Sequence, residues 1–546
     1  MQSESSVAVE TFTYVIVGAG SAGCVLANRL SEDPNNTVCL IEAGPRDSNP
    51  LIKVPLGVMR LITHPRLNWN FSTTPQAHAG GRSIAIPRGK ALGGSSSING
   101  MVYTRGQPSD YDDWAALGNP GWSFREVLPY FVRSEDNRDF RDSPYHGTEG
   151  PVKVGFLDSY NPLSEVFFQA GEALQYRRNA DFCGPTHEGF GRRQATIEAG
   201  RRSSAATAYL APARHRPNLR IIPNALARRV IVDQGRATGV EIEIKGARQV
   251  IAATREVILS AGAIGSPHLL MLSGIGRREE LEAHGIEVVR DLPGVGSNLQ
   301  DHLSAGIQYT SPSTVPYGLS WKSIPWLAWN VLSYPFTGRG LLANNILHSG
   351  AFIRTLPQLE RPDVQLILVP AFRDRAGRMG RGHGFGVLTL LLRPKSTGRV
   401  SLASADPKDA PVIDPNFLAE PEDVETIVRG MKIARRLVDA PPFAPYRGEE
   451  TDPGRDAVSD SALADYVRER SHTAYHPVGT CAMGPGPDAV VDAELRVHGI
   501  EGLRVADASI MPTLLGGNTN GPAIMVGEKA SDMILGRPAL PAADVP

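Results

Sequence analysis

The residues of this chain best placed to do chemistry are glycines at the start of a helix and histidines beside prolines. Gly18-Ala19-Gly20-Ser21-Ala22-Gly23 follows a β-branched run at 14–17 and leads into good helix formers at 24–30. A second apolar run, 37–41, ends in Glu42, 19 residues after Gly23. Gly18 permits a tight turn, Gly20 lets the backbone approach a pyrophosphate, and Gly23 lets helix and strand pack closely. The helix start offers free N–H groups and a partial positive charge to phosphates. Glu42 can accept hydrogen bonds from ribose hydroxyls. A lone glycine pattern is weak evidence, but here strand, helix and acid are all in place. The segment reads as a dinucleotide site, with FAD and NAD not distinguished by spacing.

Two more stretches are rich in small residues. Gly89-Lys90-Ala91-Leu92-Gly93-Gly94-Ser95-Ser96-Ser97-Ile98-Asn99 continues through Tyr103 and Gly106 to Asp112. Its glycines let backbone approach a flat ring or a phosphate, and its serines supply donors; Ile86, Leu92, Ile98 and Val102 argue for a packed element rather than a linker. The third runs from Gly262 to Gly276 after a strand-like run at 256–260. Pro267 is expected in the first turn of a helix there and Gly274 at its end. His472 and His476 have a spacing that can hold zinc on a helix, but Thr473 stands where H-E-x-x-H has Glu, and Pro477 would end the helix, so no metal is expected. No G-x-S-x-G elbow supports a serine hydrolase.

The elements that must position these residues are read more coarsely. The chain has 546 residues, 41% apolar and 21% charged, with 56 glycines and 43 prolines, which implies several domains joined by many turns. A net charge of −1 leaves no basic excess for nucleic acid. Cys24, Cys39, Cys183 and Cys481 are too scattered for a disulfide framework, which fits a reducing, cytoplasmic setting. Residues 1–13 carry two acids, no Lys or Arg and no apolar run, unlike a secretory leader. No apolar stretch reaches the roughly 18–20 residues of a membrane span. Runs at 364–369 and 387–392 read as an antiparallel sheet roofing a substrate pocket. Segment 317–340 holds Tyr317, Trp321, Trp326, Trp329, Tyr334 and Phe336 with Lys322 and Arg339 at its edges. Such a segment suits the wall of a substrate channel or a peripheral contact with a membrane interface.

The stretches at 89–112 and 262–276, the N-terminal glycine motif and the segment from His476-Pro477 to Asn518-Thr519-Asn520 together resemble the glucose–methanol–choline (GMC) oxidoreductases over essentially the whole chain. Within that family the sequence is most similar to bacterial membrane-associated alcohol dehydrogenases and choline-dehydrogenase-like enzymes. The resemblance implies an α/β fold: a Rossmann-like FAD-binding domain (1–155, 195–310 and 465–546) and a substrate domain with an antiparallel sheet and helices (156–194 and 311–464).

It also implies FAD. Gly18, Gly20, Ser21, Ala22 and Gly23 would hold the pyrophosphate, with Glu42 and Ala43 at the adenosine ribose. Gly94, Ser95, Asn99 and Met101 would lie along the ribityl and isoalloxazine side, and Trp69, Arg88, Gly89, Leu92, Gly93, Gly100 and Val102 are further expected cofactor contacts. Val230 would meet the adenine through its backbone, and Ala261, Asp507, Ala508, Asn520 and Pro522 would close the site. Some relatives link the flavin to a histidine of the second motif; Ile98 stands in that place here, so non-covalent FAD is expected.

By the same resemblance His476 is the expected base and Asn520 its partner on the alcohol oxygen, with Asn518 a cap or turn residue. A histidine that titrates near neutrality suits removal of the hydroxyl proton as hydride leaves for flavin N5. The implied reaction is oxidation of a primary alcohol to the aldehyde, with electrons passed to a quinone-type acceptor, possible contact with the inner face of the cytoplasmic membrane, and no nucleic acid. An O2-dependent alcohol oxidase and a choline dehydrogenase are the alternatives. Light-driven decarboxylation is disfavoured because no cysteine lies between Cys183 and Cys481, and a purely structural flavoprotein because His476 and Asn520 are intact.

Overall fold

The computed structural model describes residues 9–372 and 380–545. The first eight residues, part of the stretch read as unlike a leader, lie outside the described residues.

The β-branched run at 14–17 is the buried end of a longer strand, Val9–Val17. It pairs in parallel with Val38–Ile41 on one side and with Ala247–Leu259 on the other. Leu219–Ile222 and Leu503–Val505 extend the parallel part. Arg236–Ile244 and Leu226–Asp233 continue the sheet as an antiparallel pair. All four residues of Val38–Ile41 are buried, as expected for a parallel strand covered on both faces. Helix Ser21–Leu30 packs between this sheet and the helix Asn520–Leu535. Burying large side chains such as Val25, Leu26 and Leu30 contributes about 1.5–3 kcal/mol each.

The second sheet is antiparallel. Its order is Glu450–Asp452, Leu303–Ser311, Gly382–Leu391, Val364–Val369, Ser349–Ile353 and Gly189–Arg192, with Gly318–Leu319 and His472–Thr473 attached. Strand Val364–Val369 shows why it reads as a continuous apolar run. Val364, Leu366 and Leu368 face the helix Pro421–Asp439, where Val424, Ile427 and Met431 meet them. Ile367 and Val369 point the other way, into a cluster with Leu341 and Ile346. Alternation by two gives each set its own layer.

Two expectations are corrected. The domain boundary at 310 cuts late, because Leu303–Ser311 is a strand of the antiparallel sheet. Pro267 is not in the first turn of its helix, Gly262–Leu272, but inside it. A mid-helix proline has no N–H for the carbonyl four residues back. That carbonyl, of Ala263, accepts instead from the Thr480 hydroxyl at 2.6 Å. Gly274 follows the helix end with φ +78°, as expected.

Candidate active site

A cavity of about 1100 Å³ runs between the two sheets. At one end it is lined by Gly18, Gly20, Ser21 and Ala22, the turn and first residues of helix Ser21–Leu30. No side chain caps that helix, so its free N–H groups face the cavity. Gly18 has φ +99°, and a Cβ on Gly23 would overlap the Gly18 carbonyl oxygen. Gly23 therefore sets the packing and does not line the cavity. Across from them, a Cβ on Gly94 would lie 2.7 Å from the Gly20 Cα. Two bare backbones are thus pressed together where a pyrophosphate would need their amides.

Glu42 is buried beside this turn. Its carboxylate accepts from the backbone N–H of Ala19 (3.0 Å) and of Gly44 (2.8 Å), and burial pushes its pKa up to about 7 against those bonds. Asp507 accepts from the Gly262 N–H and the Ser266 hydroxyl at 2.8 and 2.5 Å, and from Ser509 through N–H and hydroxyl at 2.8 and 2.6 Å. It fixes the start of helix Gly262–Leu272 against the C-terminal segment. Ala43, Trp69, Arg88, Gly89, Gly94, Ser95, Asn99, Gly100, Met101, Val102, Ala261, Asp507, Ala508 and Asn520 all line the cavity.

Leu92, Gly93, Val230 and Pro522 do not. The Gly93 N–H is used on the Ala19 carbonyl (2.8 Å), and that of Leu92 on the Pro45 carbonyl (3.0 Å). The buried Val230 gives its N–H to the Ser273 hydroxyl at 2.8 Å, so it is committed away from a ligand. Ala225, Leu226 and Ala227, at the start of the same strand, line the cavity in its place.

His476 lines the cavity on a loop held from several directions. Its backbone N–H donates to Asp301 Oδ1 at 2.7 Å, and the Thr473 hydroxyl donates to Asp301 Oδ2. Thr473 Oγ1 in turn accepts from the Tyr475 N–H at 2.7 Å. Tyr475 sits at φ +70°, with its carbonyl accepting from Arg88 Nη2 at 2.6 Å. Burial pushes the Asp301 pKa up to about 6.

The amide that meets the imidazole is Asn518, not Asn520. Asn518 Nδ2 lies 2.9 Å from His476 Nε2. Asn518 Oδ1 accepts from Arg193 Nη2 at 3.0 Å and from the Thr104 hydroxyl at 3.3 Å, which fixes which end of the amide faces the ring. Asn520 opens helix Asn520–Leu535, and its Oδ1 accepts from the Ser21 hydroxyl at 2.8 Å. It ties the C-terminal helix to the dinucleotide turn. The two asparagines thus exchange the roles the sequence reading gave them. Two residues apart on a tight turn, they face different partners, and spacing from His476 could not choose between them.

On its other side His476 Nδ1 lies 2.9 Å from His302 Nδ1. Burial holds the pKa of both rings low, to about 4 for His302 and well below the usual histidine range for His476, whose neighbours include His302, Arg88 and Arg193. The buried Arg193 is itself pushed down to about 9. Arg193, Asp301 and His302 were not singled out as site residues. Asp301 and His302 are adjacent in the sequence, but nothing local tells that they face residue 476.

A family model described as GMC oxidoreductase matches residues 12–304, and a second of the same description matches 394–527. The chain belongs to the GMC oxidoreductase family. This GMC oxidoreductase is 46% identical over 527 residues to an alcohol dehydrogenase [acceptor] of Pseudomonas putida, covering 96% of each chain. It is 45% identical over 536 residues to an oxygen-dependent choline dehydrogenase of Brucella anthropi, covering 97% of each. Among solved structures it is similar to pyridoxine 4-oxidase from Mesorbium loti, with a TM-score of 0.87, 32% identity, and coverage of 95% of this chain and 98% of that one.

Proposed function

We propose that this GMC oxidoreductase oxidises a primary alcohol, aliphatic or aromatic, to its aldehyde and passes the electrons to a quinone-type acceptor. The observation that carries the reading is the 2.9 Å contact between His476 Nε2 and Asn518 Nδ2 on the wall of the cavity that also holds the dinucleotide turn. FAD is the cofactor, and its chemistry when bound is to take hydride from the carbinol carbon.

The residues present fit it. Gly18, Gly20, Ser21 and Ala22 would hold the pyrophosphate, Glu42 the adenosine ribose, and Ala225 to Ala227 the adenine. Gly94, Ser95, Asn99 and Met101 would lie along the ring side. Ile98, in the cavity wall, carries no nucleophile, which supports non-covalent binding. The FAD-binding part is assigned to 9–155, 195–302 and 474–545, and the remaining described residues to the substrate part.

The proton chemistry falls to the chain's own side chains. Asn518 offers an N–H, because its oxygen is occupied by Arg193 and Thr104. His476 Nε2 therefore presents a lone pair, and its proton sits on Nδ1, pointing at His302 Nδ1. An alcohol oxygen entering between Asn518 and His476 would take over their hydrogen bond, accepting from the amide and donating to Nε2. As the hydroxyl proton moves to His476, the amide N–H stays on the developing negative oxygen. Arg193 holds the amide and lends positive charge beside it. Burial holds the His476 pKa well below the near-neutral value expected of the base, so the ring is neutral at neutral pH.

The test is anaerobic mixing of the holoenzyme with primary alcohols of differing length and charge, following loss of the oxidised flavin band at about 450 nm. Bleaching by at least one is expected; no bleaching by any overturns the reading. Reoxidation by a quinone faster than by air separates a dehydrogenase from an oxidase. Choline dehydrogenase relatives make choline a second reading, which the same panel decides. A quinone-type acceptor would place this reaction at the inner face of the cytoplasmic membrane. Among the described residues no helix is long and apolar enough to cross a membrane.

A further inference from the structure

Arg193 follows the strand Gly189–Arg192, and its side chain lines the cavity beside the base. Its backbone N–H donates to the His348 carbonyl at 2.9 Å, at the end of the ladder with Ser349–Ile353. Gly350 on that partner strand makes room for the stem, since a Cβ there would lie 3.0 Å from Arg193 Cδ. The residue is 2% exposed.

This buried guanidinium has no counter-ion. Its two hydrogen bonds go to neutral oxygens, Asn518 Oδ1 at 3.0 Å and the Leu347 carbonyl at 3.5 Å. Nε has no partner among the described residues. Burial alone lowers its pKa, to about 9, so the group is protonated at neutral pH and no carboxylate acts on it. The two other arginines near His302 and His476 are balanced, Arg88 by the charge of Asp301 and Arg393 by Asp110, which it touches. One positive charge is left over beside His476. Burying a charge without a partner is costly, so its presence in a cavity wall points to a use.

Four carboxylates among the described residues line the cavity, and none answers that charge. Glu42 and Asp507 are held at the dinucleotide turn and the helix start beside it. Asp409 is exposed, next to Lys408. Asp452 pairs in register with Gln308, and Ser304, four residues earlier on that strand, pairs with His472. Four residues of strand put Asp452 about 13 Å further along. The negative charge that FAD brings is on its pyrophosphate, at the dinucleotide turn.

The guanidinium is one amide away from the substrate. Asn518 takes the Arg193 N–H on Oδ1 and presents Nδ2 toward His476, where the alcohol oxygen would enter. At an effective dielectric of about 20, a unit charge about 7 Å from the guanidinium changes binding roughly fiftyfold, against a cation and in favour of an anion.

We propose that Arg193 sets the charge selectivity of this site: the enzyme takes neutral and anionic primary alcohols and discriminates against cationic ones, choline among them. This deepens the alcohol-oxidising reading above and rests on it.

The test takes each primary alcohol that bleaches the flavin of the anaerobic holoenzyme and compares it with two analogues of equal length, one ending in trimethylammonium and one in carboxylate. 3,3-Dimethyl-1-butanol and choline are the shortest neutral and cationic pair. The second-order bleaching rate of the cation should be at least about tenfold below that of the neutral alcohol, and the carboxylate should lose less than the cation. An apolar wall without the charge would reject both ions alike. Arg193→Met should slow every substrate, because Asn518 loses a partner, but raise the cation-to-neutral ratio at least about tenfold. Arg193→Lys keeps the charge and should keep the parent ratio. Lost positioning of Asn518 falls on all substrates and cancels in these ratios, and the parent comparison decides even where a variant loses its flavin. Choline turned over as fast as its neutral isostere, equal rejection of both ions by the parent enzyme, an unchanged ratio in Arg193→Met, or an Arg193→Lys variant no more selective than Arg193→Met overturns charge selection and leaves the alcohol reading standing. No bleaching by any alcohol overturns that reading and charge selection with it.

Discussion

The rings of His302 and His476 stand at 88° to one another with their Nδ1 atoms 2.9 Å apart. Only one proton fits between two such nitrogens. Asn518 donates to His476 Nε2, so that proton belongs to His476, and His302 Nδ1 accepts it. The arrangement orients the base and makes Nε2 an acceptor, held by the Asn518 amide at the wall of the cavity.

Replacing His476 by Ala removes the base and leaves the dinucleotide cradle intact. The expected loss in the rate of anaerobic flavin bleaching is about 10²–10⁴-fold, with an unchanged oxidised spectrum. A rate near that of the parent enzyme would mean that another group takes the proton.

Asn518 and Asn520 separate cleanly by experiment. Asn518→Ala should lower kcat by about 10²–10³-fold, the usual cost of losing one donor to a developing oxyanion. Asn520→Ala should act through the lost Ser21 contact, with about 1 kcal/mol less stability and a modest effect on kcat. Thermal melting and single-turnover bleaching of the two variants read this directly. The reverse pattern would restore Asn520 as the partner.

The buried histidines set the response to acid. His187, His268, His302 and His348 are held at about 4, and His476 well below the ordinary histidine value, each chiefly by burial. Below the ordinary histidine value of about 6.5 the unfolded chain binds protons that the folded one does not, so stability falls as pH drops from about 6.5 toward 4. Glu42 and Asp301, raised to about 7 and about 6, and Asp507 and His146, also raised, oppose this, because over part of the same range they bind protons in the folded state. Five lowered histidines outweigh these four groups, so the Tm of the holoenzyme should decline through that window. A Tm flat between those limits would contradict the assigned protonation.

Gly23→Ala should fail to retain flavin. Its Cβ would overlap the Gly18 carbonyl oxygen, and neither backbone can retreat without opening the turn. Overpacking of this kind costs about 1–3 kcal/mol or more. The flavin-to-protein absorbance ratio of the purified variant checks it.

Acid precipitation of the holoenzyme should release all of the flavin into the supernatant, since Ile98 offers no atom for a covalent link. Yellow colour left in the washed pellet would show a link elsewhere.

Much of this molecule was legible in its residues. Gly18 to Gly23 with Glu42 dictated a strand, a tight turn and an uncapped helix, because only glycine tolerates that turn and that close packing. The apolar run at 364–369 dictated a strand of the antiparallel sheet. These are local rules, in which sterics and the period of the chain decide within a few residues. The tertiary structure decided what sequence distance hides. Whether Asn518 or Asn520 faces His476 depends on the direction of a turn and on Arg193, 325 residues earlier in the chain. Val230 lost its place at the cavity because Ser273, from a neighbouring helix end, takes its N–H. Pro267 sits mid-helix because Thr480, far along the chain, satisfies the carbonyl that proline leaves free. A hydrogen bond is directional and short in space, and its partner's position in the sequence is fixed only by the packing of the whole chain.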